Sequence, residues 1–251
     1  MTKLILNIIS SFALIILLGS CNQEEENPSS GESMVTVKGS AHKDAGNPNN
    51  GRIMVGEFNV SHFQVGIQKF EMNYAVAADL RAGVDIGNIP LRSNMNSDLG
   101  SMILQPKTHM LIQEGNYQTT LIGEGLTPSG NYSKITFQLF KHQADPEDNF
   151  VHGKSLYILG GINGNLVRIW LTDEIHLEVS AEETNGLLIN ETSEILVRFN
   201  INLLLAHIDL STANDNNNDG IIDIGPGNVD GNATIYTQIK TNLNSAVQFV
   251  H

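Results

Sequence analysis

The chain carries a single cysteine, Cys21, among its 251 residues, which excludes an internal disulfide framework and a thiolate metal cluster. Cations are few: 14 Lys and Arg stand against 27 Asp and Glu, a formal net charge of −13 with histidine neutral. That balance argues against nucleic acid or an anionic lipid surface as a partner. Aromatics are scarce, with one tryptophan, Trp170, and five tyrosines, whereas carbohydrate faces are ordinarily built from stacked Trp and Tyr. Past the first twenty residues there is no long apolar run, so the body has no segment with the composition of a membrane-spanning helix. Catalytic motifs are missing as well. The eight histidines, His42, His62, His109, His142, His152, His176, His207 and His251, form no HxxxH or HExxH pair, and no serine occupies a G-x-S-x-G elbow. Glu182-Glu183 and Asp145, Glu147 and Asp148 sit in polar stretches and read as solvated loop charge rather than paired glycosidase carboxylates. A protein without enzymatic activity is expected.

What is present begins with an address. Lys3 supplies a positive start, and residues 4–18 form an apolar run broken only by Asn7, Ser10 and Ser11. The run is short for a bilayer span and reads as a secretory signal over residues 1–20. Its exit, Leu18-Gly19-Ser20-Cys21, resembles a bacterial lipobox, which implies that Cys21 becomes the acylated N-terminus. More than one acyl chain gives stable anchoring, so the expected partner here is a membrane, through the lipid. Apart from Pro28 and Gly31, residues 22–33 are all polar, and residues 21–33 are expected to be a flexible acidic tether. Glu24-Glu25-Glu26 resembles the signal by which Bacteroidota lipoproteins reach the outer face of the outer membrane; it equally fits a solvated spacer. Asn22, standing where an Asp would favour retention, leaves the inner membrane without support. The expected location is the outer membrane, at the cell surface or on the periplasmic face.

The body reads as strands. Residues 34–38 alternate, and a turn-rich break follows at residues 46–51. Strands are then expected at residues 52–60, 63–74, 102–104, 110–113, 117–123, 132–140, 155–159, 166–171, 175–179 and 194–205. In Ile135-Thr136-Phe137-Gln138-Leu139 the odd positions face a core and the even ones water. Asn163-Gly164 lies between two β-rich runs and marks a hairpin; Gly160, Gly161 and Gly164 lack the following helix that a phosphate loop needs. Glu114-Gly115-Asn116-Tyr117 and Ser129-Gly130-Asn131-Tyr132 echo each other and read as openings of consecutive strands in one antiparallel sheet. Short strands separated by turns, without a βαβ rhythm, imply a mainly β fold, a β-sandwich.

A resemblance rests on these strands. The stretch Leu126-Thr127-Pro128-Ser129-Gly130-Asn131-Tyr132-Ser133-Lys134-Ile135-Thr136-Phe137-Gln138-Leu139 is similar to the leucine, proline, glycine, tyrosine, isoleucine strand opening of a family of uncharacterised Bacteroidota cell-envelope lipoproteins. Phe63-Gln64-Val65-Gly66-Ile67-Gln68-Lys69-Phe70-Glu71-Met72 fits the same pattern, as does the lipobox. The likeness covers residues 34–210 and implies an antiparallel Greek-key β-sandwich of prealbumin-like type in the cell envelope. It implies a fold and a place, not a reaction.

The one pattern with specific chemistry lies near the C-terminus. Asp215, Asn217 and Asp219 alternate, and Gly220 follows in the sixth position of a D-x-[DN]-x-[DN]-G calcium loop. Oxygen side chains at these positions turn inward around a hard cation, Ile221 offers its carbonyl, and Asp223 holds the ninth position. Residues 199–238 contain no Lys or Arg, so Asp209, Asp215, Asp219, Asp223 and Asp230 repel one another without a cation. Pro226 occupies the twelfth position, where an EF-hand has a bidentate Glu, so Asp230 or Asn228 must complete the shell. A stand-alone structural Ca2+ loop on a β-domain is expected, the other reading being an Asn/Asp/Gly-rich surface loop without metal. Asn232 caps a C-terminal helix, the only substantial one in the body, with Ile235, Ile239, Leu243, Ala246 and Val247 along one stripe. Residues 34–210 thus form the sandwich, and residues 211–251 the calcium-type loop and a helix docked on it. Two functions follow. One is a non-catalytic envelope lipoprotein for adhesion, surface assembly or capture of a surface glycan or protein ligand. The alternative is a glycan-binding component of a polysaccharide uptake system, or a glycoside hydrolase, which calls for an exposed cluster among Tyr74, Tyr117, Tyr132, Tyr157 and Trp170.

Overall fold

The structure is a computed structural model and describes residues 32–43, 53–74, 107–142, 151–183, 186–190 and 192–251. The signal peptide, Cys21, the tether up to residue 31, the turn at 46–51, the strand at 102–104 and the acidic stretch at 145–148 lie outside these residues. The strands in chain order are β1 (Glu32–His42), β2 (Ile53–Val55), β3 (Phe58–Tyr74), β4 (Lys107–Gln113), β5 (Asn116–Tyr117), β6 (Thr119–Pro128) and β7 (Gly130–Leu139). They continue as β8 (Leu156–Ile162), β9 (Asn165–Leu171), β10 (His176–Ser180), β11 (Leu187–Ile189), β12 (Thr192–Asn200), β13 (Ile221–Ile224) and β14 (Val247–Val250). Two helices, α1 (Ile201–Leu204) and α2 (Ala233–Asn242), fall between β12 and β14. The mainly β expectation is met.

The strands form two sheets. A four-stranded sheet runs β14-β12-β1-β6, and a ten-stranded sheet is built on the path β10-β7-β3-β8-β9-β13. The arrangement is sandwich-like, with one hydrophobic cluster drawing on both sheets. Its centre is aromatic. Phe199 of the small sheet meets Phe63 and Phe137 of the large one edge-on, with ring centroids 5.7 and 6.4 Å apart. Each fully buried phenylalanine contributes about 1.5–3 kcal/mol through its area alone. The sheets are not purely antiparallel: β1 pairs with β12 in parallel, and so does β9 with β13.

β3 links the halves of the large sheet. Its first part pairs with β8 and its second with β7 on the same side, and the handover falls at Gly66, whose N–H donates to the Ser155 carbonyl while its own carbonyl accepts from Phe140 N–H. A Cβ at this position would stand 2.4 Å from the Phe140 carbonyl oxygen, so the close approach of two backbones requires glycine.

Local patterns are obeyed where period decides. Ile135, Phe137 and Leu139 are fully buried, and Asn163-Gly164 forms the β8–β9 turn, both residues with positive φ. Four expectations are corrected. The tether does not extend to residue 33: Ser33 is buried, paired with Thr127 of β6, and its hydroxyl lies 2.6 Å from that of Ser129. Thr136 does not face water, being covered between its cross-strand neighbours Glu71 and Glu178. The Gly-Asn-Tyr echoes do not open neighbouring strands. Tyr117 ends β5 in the large sheet, the chain crosses to β6 in the small sheet, and Tyr132 starts back in β7. Nor is residues 194–205 one strand: β12 stops at Asn200, whose side-chain oxygen accepts from Leu203 N–H at 3.1 Å and starts α1.

The C-terminal segment is no appendage. It adds β13 to the edge of the large sheet and β14 to that of the small one. Helix α2 buries Ile239 and continues to buried Leu243, but Ala246 and Val247 fall beyond it, and Val247 opens β14 against Phe199. Residue 232 does not cap α2 with its side chain; the oxygen that receives Ala233 N–H is Asn228 Oδ1, at 3.1 Å.

Candidate metal loop and the buried carboxylate network

Asp215, Asn217 and Asp219 fold back over a single turn. The Asp215 carboxylate accepts from Asp219 N–H at 3.2 Å and Gly220 N–H at 2.9 Å. Asn217 Oδ1 accepts from Asp219 N–H at 2.9 Å, and Asp219 Oδ1 from Ile221 N–H at 2.9 Å. Asn217 Nδ2 donates to Asp219 Oδ2 at 3.2 Å. Gly220 has φ +83°, as the sixth position of such a loop requires. Short Asp and Asn side chains close hydrogen bonds onto the main chain two residues on, which gives this composition its turn.

Asp223 and Asp230 join a different network. β13 lies parallel to β9 with Asp223 opposite Arg168. Arg168 Nε donates to Asp223 Oδ1 at 2.6 Å and its terminal nitrogen to Oδ2 at 2.5 Å, a bidentate pair whose side chains are 20% and 9% exposed. The hydrogen bond to Asp223 holds the Arg168 guanidinium above its ordinary pKa, against the effect of burial. Asp230, 8% exposed and at φ +51°, accepts Asp223 N–H on Oδ2 at 2.9 Å. Asn232 ties the network to the loop: its Nδ2 donates to the carbonyls of Asp223 and Asn214, both at 2.8 Å, and its Oδ1 accepts from Asn214 N–H at 2.9 Å.

Arg168 lies far in sequence from the cation-free residues 199–238, so nothing local to the loop points to it. The available signal was parity: Asp223 interrupts the buried run Ile222, Ile224, and Arg168 sits likewise between buried Val167 and Ile169. A charged residue on a strand's second face needs a partner on the neighbouring strand.

The same face carries Tyr157 and Trp170, opposite one another in the β8–β9 ladder. Burial pushes the Tyr157 hydroxyl up to about 12. Lys154 Nζ lies 5.7 Å from the centre of the Trp170 ring, and burial, then the Arg168 charge, lowers its pKa while Asp223 opposes them. The ring itself rests on Gly225, where a Cβ would come within 2.3 Å of it. Tyr132 is fully buried; its hydroxyl donates to the Pro128 carbonyl at 2.7 Å. Tyr117 is 46% exposed.

Among the described residues, no group of three or more His, Cys, Asp or Glu side chains converges as it would around a metal ion. The loop brings together Asp215, Asn217, Asp219 and Ile221 and leaves Asp223 and Asp230 with Arg168 and the main chain. Among the described residues, no helix is long and apolar enough to cross a membrane. Comparison with protein-family models, curated proteins and solved structures finds no match to the chain.

Proposed function

We propose that this is a non-catalytic envelope lipoprotein, held at the outer membrane by acyl chains on Cys21, whose β-sandwich is stabilised by calcium and serves in surface adhesion, assembly or ligand capture. The observation that carries the calcium reading is the inward fold of Asp215, Asn217 and Asp219 over one turn, with Gly220 in the left-handed region. Calcium takes 6–8 oxygens, many of them from carbonyls and water. Two carboxylates, the Asn217 amide oxygen and the Ile221 carbonyl fit that chemistry, with water completing the shell. Asp223 stays outside it because Arg168 engages both its oxygens.

A Greek-key path of prealbumin type, in the manner of the Bacteroidota envelope lipoproteins, finds support in Tyr132. Its hydroxyl reaches back four residues to the Pro128 carbonyl, as a tyrosine corner does. The aromatic distribution favours this reading over the glycan-binding alternative: Tyr132 and Tyr157 are buried and the half-buried Trp170 has its ring against Gly225, while the exposed Tyr117 stands on β5.

The test is a melt of the full-length protein in detergent, in EDTA and in millimolar calcium. Calcium at one hundred times its dissociation constant adds about 2.7 kcal/mol, a rise of roughly 5–10 °C for a chain of this size. Asp219→Ala is expected to abolish the rise while melting close to wild type in EDTA. A wild-type melt indifferent to calcium would sink the metal reading.

A further inference from the structure

Two clefts flank the turn between β2 and β3, and Glu57 stands in the lining of both. The first has a volume of about 310 Å³. Buried Phe58, Ile162, Leu205 and Leu210 form its apolar floor, and its charged lining is Glu57 and Asp209. The second, about 440 Å³, has a mixed lining in which Asn59, Asn163 and Asn165 stand beside Met54 and Leu166, with Glu57 its charged residue. Among the described residues, no Lys, Arg or His lines either cleft.

The groups are held in place. Asn163, in the left-handed turn of the β8–β9 hairpin, donates its side-chain amide to Glu57 Oε2 at 3.3 Å. Asp209 Oδ1 accepts from the backbone N–H of Ser211 at 3.0 Å and from its hydroxyl at 2.6 Å, and these bonds keep its carboxyl below the usual range. An ionised carboxylate offers about four acceptor sites, so both retain capacity for a cationic donor. Concave sites for small molecules run from about 300 to 1,000 Å³, mostly apolar with a few placed polar groups. A bare metal ion does not suit the floor, which supplies no oxygen donors, and an anion would meet two like charges on a protein already at −13.

We propose that the first cleft binds a small amphipathic cation, an apolar body packed against the half-buried Val55 and Ile208, above Phe58, Ile162, Leu205 and Leu210, with an amine or guanidinium held by Glu57 and Asp209. The second cleft, beyond Glu57, gives such a ligand room for an extension that reaches Asn59, Asn163 and Asn165. The proposal names the ligand class for the capture role above and rests on that role, not on calcium.

The test titrates the full-length protein in detergent with phenethylamine, with its neutral counterpart 2-phenylethanol and with its anionic counterpart 3-phenylpropionate, against a detergent-only control. Saturable binding of the amine is expected, at least about tenfold tighter than the alcohol, with no binding of the acid. Glu57→Gln with Asp209→Asn keeps the acceptor oxygens and the local turns, so the melt in buffer should hold while amine affinity drops about tenfold or more. Ile208→Trp, placed in the cleft lining, should abolish binding of amine and alcohol together. Equal binding of amine and alcohol, or a double variant that binds as the wild type does, overturns the charge argument yet leaves ligand capture standing. No response to any of the three probes overturns the site itself, whatever the calcium melt shows.

Discussion

Residues 214–220 and residues 223–232 are both rich in Asp, Asn and Gly, stand two residues apart, and meet opposite conditions. In the first stretch Asp219 is exposed and Asp215 half-buried, and both hydrogen-bond their own turn. In the second, Asp223, Asp230 and Asn232 are buried and hold a guanidinium, a strand N–H and three main-chain groups. Strand pairing makes the difference. Once Ile222 and Ile224 are committed to the core, Asp223 must project from the other face of β13, where β9 presents Arg168. An acidic residue in a loop can await a soluble cation; one locked into a strand needs its cation built in.

Breaking that built-in pair is the largest effect expected. Asp223→Ala removes the bidentate partner of the mostly enclosed Arg168 and should cost about 3–5 kcal/mol, read from the shift in urea midpoint at constant slope. The double variant Arg168→Met with Asp223→Leu removes both charges and should recover most of the loss, because apolar packing of similar volume replaces a buried ion pair at little or no cost. A loss below about 1 kcal/mol for Asp223→Ala would make the pair equivalent to an exposed salt bridge and erase the contrast between the two stretches.

Much of the exposed stretch was legible because its signals are local. Alternating oxygen side chains and a glycine at the sixth position specify a turn whatever lies around them, and Gly220 adopts the required φ. The Asn163-Gly164 hairpin and the buried parity of Ile135, Phe137 and Leu139 were legible for the same reason. The buried stretch was not, since the period of a strand says which residues share a face and not which strand comes alongside. The parallel pairings β1–β12 and β9–β13 join segments far apart in the chain, and no local pattern announces them. The handover at Gly66 is equally invisible: only the Phe140 carbonyl explains that glycine. Asn200 shows the competing case, a side chain that caps a helix and ends a strand whose apolar composition continues.

Acid offers a sharper comparison, provided a third site is separated first. His109 on β4 is 1% exposed, with its Nδ1 3.4 Å from Thr120 Oγ1, and burial, aided by Lys107, lowers its pKa from 6.5 to about 4. A histidine depressed in the fold binds its proton more readily in the unfolded chain, so stability is full above about pH 7 and declines as pH falls from 6.5 towards 4. The expected loss is about 3 kcal/mol at pH 4, measured by urea unfolding across that range. His109→Leu should flatten the profile. A decline of equal size in that variant would place the acid sensitivity elsewhere.

The smallest of these effects lies at the seam between the stretches. Asn232 bridges them, accepting from Asn214 N–H and donating to the Asn214 and Asp223 carbonyls. Asn232→Ala removes all three bonds, but Asn214 is exposed and water replaces its partners, so the uncompensated loss is at the Asp223 carbonyl. About 2 kcal/mol is expected. Asn232→Asp keeps the acceptor for Asn214 N–H, deletes both donors and adds a carboxylate beside Asp223 and Asp230. At neutral pH it should therefore destabilise more than alanine does, with the gap narrowing as the new carboxyl is protonated. If alanine and aspartate cost the same at neutral pH, the seam is open to water, and the two stretches differ only in their depth of burial.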